Sequence, residues 1–371
     1  MKSPYVKAVL SIFIFGITLF RIKASNPILN ILYANSDIPT KVRECDRLIP
    51  LEVNQSMTEN DEWDARIKSS VALNDESYTE KSSTLVSERI AEIGFIQSIE
   101  LLSNIPLHSS TSAYQEIELY ESKFYGKILV LDGVLQITEQ DGSAYNEMLA
   151  HVPMMAHASP KRVLVIGGGD GYIVSEVLKH KEVDVVDHVD LDGEVVRVCE
   201  KYFKWGSVAW SDERVNLKIE DGAAFAKNAP DNYYDVVIQD SSDPFTANED
   251  GVVSDLPSSV LYKPDHFANI KRILKDDGIF MLQSETYTIP SDLEGIKEWR
   301  QQALDLNFGR VRYGTLAIST YPTGQIGFLI CEAEGKEKED KNLLNEVTER
   351  FNEMQSKNES TEYYHPRLQI S

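Results

Sequence analysis

The chain has 371 residues, enough for two compact units, and carries 37 Lys plus Arg against 59 Asp plus Glu, a net charge of −22. That balance excludes a general polyanion binder, because DNA and RNA are held by a basic footprint, whereas an acidic surface steers cations. Three scattered cysteines, Cys45, Cys199 and Cys331, supply neither a disulfide framework nor a zinc site, and no metal is expected.

At the N-terminus Lys2 and Lys7 precede an apolar run from Ala8 to Phe20, and Arg21 and Lys23 follow it. The run is short for a membrane span and fits a signal-peptide core or a short signal anchor over residues 1–34. Entry into the secretory or endomembrane route is the expectation, with membrane attachment through residues 8–20 as one form of it. A presequence for another organelle and a cytoplasmic location are the alternatives. Asn54-Gln55-Ser56 and Asn358-Glu359-Ser360 are sequons usable in that route. Residues 35–86 turn polar without periodicity and read as a disordered linker, with order beginning near Ile90.

An antiparallel β domain is predicted over 87–150. Tyr114 to Tyr120, Lys127 to Leu131 and Val134 to Glu139 are β-rich, and Asp132-Gly133 between the last two reads as a tight hairpin turn. A helical stretch from Tyr145 to His157 leads into a region, 151–335, where strands and helices alternate as in a parallel sheet covered on both faces. Its strands are predicted at Val163–Ile166, Val185–Val189, Val215–Ile219, Tyr234–Ile238 and Ile279–Leu282, with two more at Arg310–Ala317 and Ile326–Glu332. A helix is expected to follow the first strand through Lys179, and another to follow the second to Phe203. Residues 336–371 read as a charged helix and tail. The fold class is therefore α/β, a small β domain followed by a Rossmann-like sheet.

Open α/β sheets bind ligands at the carboxyl ends of their strands. Here the first five strands run into Asp170, Asp190, Asp221, Asp240 and Glu285. Any one of these could cap a helix. Five acids converging on one crevice repel each other at low dielectric, so the resident they favour is a cation. Gly167, Gly168 and Gly169 let backbone approach a ligand, but Asp170 would repel a phosphate there. The loop suits a positively charged nucleoside, with Asp190 near its ribose hydroxyls and Asp221-Gly222 near its adenine amino group.

Four segments, in order, resemble the spermidine synthase family. They are Tyr125 to Gln136, Gly167-Gly168-Gly169-Asp170-Gly171, Asp240-Ser241-Ser242-Asp243-Pro244, and Tyr321 to Phe328. The resemblance covers about Ser87 to Glu334 and implies a β domain joined to a methyltransferase-like sheet, assembled as a homodimer. It implies transfer of an aminopropyl group from decarboxylated S-adenosylmethionine, a co-substrate and not a permanent cofactor, onto putrescine or another polyamine. Gln115, Asn146, Gly167, Gly168, Gly169, Asp170, Asp190, Asp221 and Gly222 would bind the donor. Asp240 would accept the proton, and Tyr145, Ser241, Asp243, Gln283, Glu285 and Tyr321 would hold the acceptor. Asp190, Asn146 and Tyr172 depart from the residues usual in that family, and the loop from Phe245 to Pro257 is longer. Rival readings are a spermine or thermospermine synthase, an amine N-methyltransferase, and a non-catalytic polyamine-binding protein.

Overall fold

The computed structural model describes residues 84–248, 250–334, 340–357 and 359–368. The N-terminal apolar run, Cys45, the first sequon, Asn358 of the second and nearly all of the predicted linker lie outside the described residues. Among the described residues no helix is long and apolar enough to cross a membrane.

The β region comprises two separate sheets. Strands β1 (Leu85–Ile90) and β2 (Phe95–Glu100) form an antiparallel hairpin. Order thus begins before Ile90, inside the segment read as linker. The alternation in Leu-Val-Ser-Glu-Arg-Ile was masked by polar residues on both faces, since inner and outer positions differ only between half-buried and exposed. Strands β3 (His108–Thr111), β4 (Glu116–Ser122), β5 (Gly126–Leu131) and β6 (Val134–Thr138) form a four-stranded antiparallel sheet. Asp132 and Gly133 make the β5–β6 turn, with φ values of 50° and 80°, the paired left-handed conformations that a tight hairpin needs.

Helix α1 (Gly142–Ala156) packs into the large sheet's core, so the domain boundary falls before Gly142 and not at residue 150. The large sheet contains β7 (Arg162–Gly167), β8 (Val185–Asp190), β9 (Val215–Ile219), β10 (Tyr234–Asp240), β13 (Leu274–Gln283), β14 (Arg310–Ala317) and β15 (Gln325–Glu332). Their spatial order is β9-β8-β7-β10-β13-β15-β14, with the last two antiparallel to their neighbours. Helices α2 (Tyr172–Val177), α3 (Gly193–Tyr202), α4 (Lys204–Ser211), α5 (Gly222–Asn228), α6 (Pro264–Ile273) and α7 (Pro290–Asp305) cover it. The helix expected to reach Phe203 ends at Tyr202, where extended Phe203 breaks the run (φ −111°, ψ 137°), and α4, which the sequence reading did not include, follows at once.

The central strands are apolar throughout because each feeds two cores. Val163 and Val165 of β7 join Val236 and Ile238 of β10 in one cluster. Leu164 and Ile166 join Val237 and Phe280 in the cluster on the opposite face. That is the period-two geometry of a strand buried on both sides. Cys199 and Cys331 are fully buried, and burial raises both thiols, so neither is a nucleophile.

Helix α8 (Asp340–Ser356) and the tail close the fold against α1. The buried carboxylate of Glu147 accepts the backbone N–H groups of Glu362, Tyr363 and Tyr364 at 2.7, 2.8 and 2.7 Å. This clamp lies two residues from Tyr145 on α1. Glu147→Ala strands three donors, of which the Tyr364 N–H is buried, and a hydrogen bond to a charged group is worth about 1.5–3 kcal/mol, so destabilisation of roughly 2–4 kcal/mol is expected. Denaturant titration measures it, together with limited proteolysis after residue 357. Unchanged stability and an equally protected tail would exclude the clamp.

Candidate active site

At the switch point between β7 and β10 the chain order reverses, and the two strand ends splay into a crevice. Asp240 pairs with Gly167 in the parallel register. Gly167 adopts φ +78°, and a Cβ there would lie 1.8 Å from the Asp240 carbonyl oxygen, so only glycine fits. Gly168 N–H donates to that same carbonyl at 2.9 Å. The glycine loop and Asp240 are thus one backbone unit.

A cavity of about 680 Å³ opens there, a volume suited to a small-molecule ligand. Its lining includes every residue the sequence singled out: Gln115, Tyr145, Asn146, Gly167 to Asp170, Asp190, Asp221, Gly222, Asp240, Ser241, Asp243, Gln283, Glu285 and Tyr321. Three strand-end acids use one oxygen to hold backbone. Oδ1 of Asp170, Asp190 and Asp221 accepts the N–H of the residue two positions on, at 2.7, 2.8 and 2.7 Å. Of the three, Asp221 is a helix N-cap, so there capping and cavity lining are one arrangement.

Burial and crowding raise the pKa values of these acids. Burial and the charge of Asp240 push Asp170 up to about 8. Burial, and in lesser measure Asp192 and Asp240, push Asp190 up to about 6. Burial raises Asp240 to about 6 against the opposing hydrogen bond from Tyr145. The Tyr145 hydroxyl donates to Asp240 Oδ1 at 2.5 Å and has Gln283 Oε1 at 3.0 Å. Its ring stacks on Tyr321 at 5.5 Å, giving one wall of the cavity.

Past Asp240 the cavity carries a second acidic group. Asp243 is raised to about 6 by burial, and Glu285 is raised by burial and by Asp243. Glu285 sits in the left-handed region at φ +52°, its carbonyl held by the Tyr313 hydroxyl at 2.9 Å. Glu88 and Asp292 complete this end, both raised to about 7 by burial and then by Asp243, though hydrogen bonds from Gln97 to Glu88 and from Thr286 N–H to Asp292 oppose the rise. Sequence reasoning missed both, since Glu88 stands at the very start of the predicted β domain, ahead of its first expected strand, and Asp292 looks like an ordinary acid in the first turn of α7. The loop after Pro244 is a small hairpin, β11 (Phe245–Ala247) with β12 (Val253–Asp255), and Phe245 to Ala247 form part of the cavity wall.

Two further residues of the cavity lining, Gln115 and Asn146, are partly engaged by protein. Gln115 Nε2 donates to Asp192 Oδ2 at 2.9 Å, and Ser112 Oγ donates to the same oxygen at 2.6 Å. Asp192 thereby ties the four-stranded sheet to the end of β8, a role its sequence position did not disclose. Asn146 Nδ2 donates to Gly142 O at 2.8 Å, while its buried Oδ1 has no hydrogen-bond partner.

His157, Asp235 and Asp277 are the one metal-type group among the described residues, with ligand atoms within 4.8 Å of one another at the opposite strand ends. His157 Nδ1 accepts the Ser159 N–H at 3.1 Å, which leaves the ring proton on Nε2. Lys275 Nζ lies 2.7 Å from Asp235 Oδ1, so that carboxylate already has a cationic partner in the protein.

Sheet order and cavity define a methyltransferase-like α/β protein with a site built for a cation. The Spermine/spermidine synthase domain model matches residues 142–342, and the Spermidine synthase tetramerisation domain model matches residues 102–139. Spermidine synthase 2 of Arabidopsis thaliana is 41% identical over 229 residues, 62% of this chain and 64% of the relative. Spermidine synthase 2 of Datura stramonium is 39% identical over 65% of this chain and 72% of the relative. Spermine synthase of Arabidopsis thaliana is 38% identical over 65% of this chain and 64% of the relative. A crystal structure of spermidine synthase with the transition state analogue AdoDATO superposes with a TM-score of 0.68 at 26% identity, covering 81% of this chain and 94% of that one. The chain belongs to the spermine/spermidine synthase family.

The raised carboxyls make stability depend on pH. Asp170 has a folded pKa of about 8 against an ordinary 3.8, so its stabilising contribution is present below about 4 and lost as pH rises to 8. Asp170→Asn removes that loss. In thermal unfolding without ligand, the variant should melt above wild type at pH 8 and level with it at pH 4. An offset that does not change with pH would show that Asp170 is ionised throughout.

Proposed function

We propose that the chain is an aminopropyltransferase that makes spermidine and 5′-methylthioadenosine from putrescine and decarboxylated S-adenosylmethionine. One observation carries this reading: Asp240, raised to about 6, stands between a glycine-loop pocket and a second acidic pocket within one cavity. Its conjugate base is ionised at neutral pH and basic enough to take a proton from an ammonium in contact with it. A protonated amine has no lone pair to attack with, so that transfer must come first. The amine nitrogen then bonds to the donor's aminopropyl carbon, the C–S bond breaks, and its electron pair returns to sulfur as a neutral thioether. Alignment does the remaining work.

On the donor side, Asp170 pairs with the free aminopropyl ammonium and disfavours a donor that keeps its carboxylate. Asp190 accepts from the ribose hydroxyls, and Asp221-Gly222 meets the adenine. Gln115 is shared with Asp192, and Asn146 offers its unpartnered oxygen. On the acceptor side, Tyr145 and Tyr321 wall the methylene chain. Ser241, Asp243, Gln283 and Glu285 hold the distal ammonium, whose burial without a counter-charge would be costly. The match to a tetramerisation domain over 102–139 supports a homo-oligomer.

A longer acceptor, giving spermine or thermospermine synthase activity, is favoured by the two further carboxyls at the far end, Glu88 and Asp292. Comparing kcat/KM for putrescine and spermidine decides between the readings. Putrescine is expected to be the better acceptor, and a higher value for spermidine selects the alternative.

Asp240→Asn should lower kcat by on the order of 10²–10⁴, the range for loss of a general base, while 5′-methylthioadenosine affinity is kept. Near-normal turnover in that variant would remove Asp240 from the mechanism.

A further inference from the structure

Beneath the glycine loop lies a hydrogen-bonded relay that the proposed chemistry does not use directly. His188, on β8 and fully buried, has Nε2 2.8 Å from the Gly167 carbonyl. Trp210 of α4 donates its Nε1–H to His188 Nδ1 at 3.1 Å, with the two ring planes parallel within 3°. Since Nδ1 accepts, the ring proton is on Nε2 and is donated to Gly167. Trp210 also supports the far end of the loop. Gly171 adopts φ +80°, and a Cβ there would meet the indole at 3.0 Å. The aromatic pair therefore holds the first glycine by a hydrogen bond, and its indole leaves no room for a side chain at the last.

We propose that His188 and Trp210 are positioning residues for donor binding: the indole N–H fixes the imidazole, whose Nε2–H holds the Gly167 carbonyl and presets the loop that receives the nucleoside. This rests on the donor assignment above. The geometry gives it a specific consequence for Asp240. Pinning the Gly167 carbonyl orients the peptide to Gly168, whose N–H donates to the Asp240 carbonyl. A free loop would have to be ordered by the donor itself, which weakens binding. Burial pushes His188 down to about 4, so the ring stays neutral and the relay stays intact at neutral pH.

The test uses full-length protein carrying Trp210→Phe, His188→Leu or His188→Gln. The first removes the N–H together with the outer indole ring that faces Gly171, so the His188 variants isolate the hydrogen bond. The third restores a donor toward Gly167. Two quantities are measured: 5′-methylthioadenosine affinity by calorimetry, and deuterium uptake of the peptide spanning 167–171 without ligand. Trp210→Phe and His188→Leu should each weaken nucleoside binding by roughly 3- to 10-fold, the scale of one neutral hydrogen bond, and speed exchange in the loop. His188→Gln should recover most of both effects, and putrescine KM should not move. Faster exchange with unchanged nucleoside affinity would overturn the positioning role, as would affinity and exchange both at wild-type levels. Wild-type protein that binds no methylthioadenosine would instead defeat the donor assignment, and the exchange result would still report whether the relay holds the loop.

Discussion

Mutual repulsion among carboxylates facing one cavity is the constraint around which this structure is arranged. Asp170, Asp190, Asp240, Asp243, Glu285, Glu88 and Asp292 all have raised pKa values, and in each case burial is the largest cause. Charges close together at low dielectric cannot all be ionised unless a counter-charge arrives. A cationic ligand supplies it, and gains most from a site whose repulsion it relieves. The same acids that make the folded protein less stable at high pH therefore select for substrates with positive charge. Backbone N–H groups moderate the repulsion by taking one oxygen each from Asp170, Asp190 and Asp221 without neutralising the charge.

Topology explains why the acids converge. Reversal of strand order between β7 and β10 opens the sheet where neither strand has a crossing helix above it. The register sets Asp240 directly beside Gly167, and glycine's missing Cβ lets the backbones meet. Asp240 is thereby fixed by main-chain hydrogen bonding, and the Tyr145 hydroxyl fixes its side chain. Glu147, on the same helix as Tyr145, binds the tail, so the C-terminal residues help seat the helix that supplies this wall.

Much of this was legible in the sequence, for physical reasons. Strands buried on both faces give unbroken apolar runs such as Val163–Ile166. Glycines and acids following such runs mark the ligand-binding edge, because that edge needs close backbone approach and polar groups. Asp132-Gly133 announced its hairpin through the left-handed conformations both residues adopt. What stayed hidden depends on distant contacts. Glu88 interrupts the inner face of a short strand, between Val86 and Ile90, and polar residues on the outer face blur the alternation. Asp292 reads as a residue favoured in the first turn of any helix. His188 reads as a polar interruption in an apolar strand until Trp210, 22 residues on, is found to donate to it.

The division of acids between the two ends of the cavity also bears on how substrate choice is built. Carboxyls at the glycine-loop end of the cavity belong to a rigid frame: strand ends, the helix cap at Asp221 and a loop resting on His188 and Trp210. Those at the far end come from four separate pieces, namely β1, the segment after β10, the end of β13 and the start of α7. Glu92 in the turn after β1 reaches Ser291 of α7, its two oxygens accepting the backbone N–H at 3.2 Å and the hydroxyl at 2.5 Å. That link fastens two of the four pieces together. A frame assembled from separate pieces tolerates substitution at one without collapse of the others, whereas a change in the glycine loop propagates to Asp240 through a shared backbone. Substitutions at the far end are therefore absorbed locally, while the glycine loop and Asp240 are bound together by the fold.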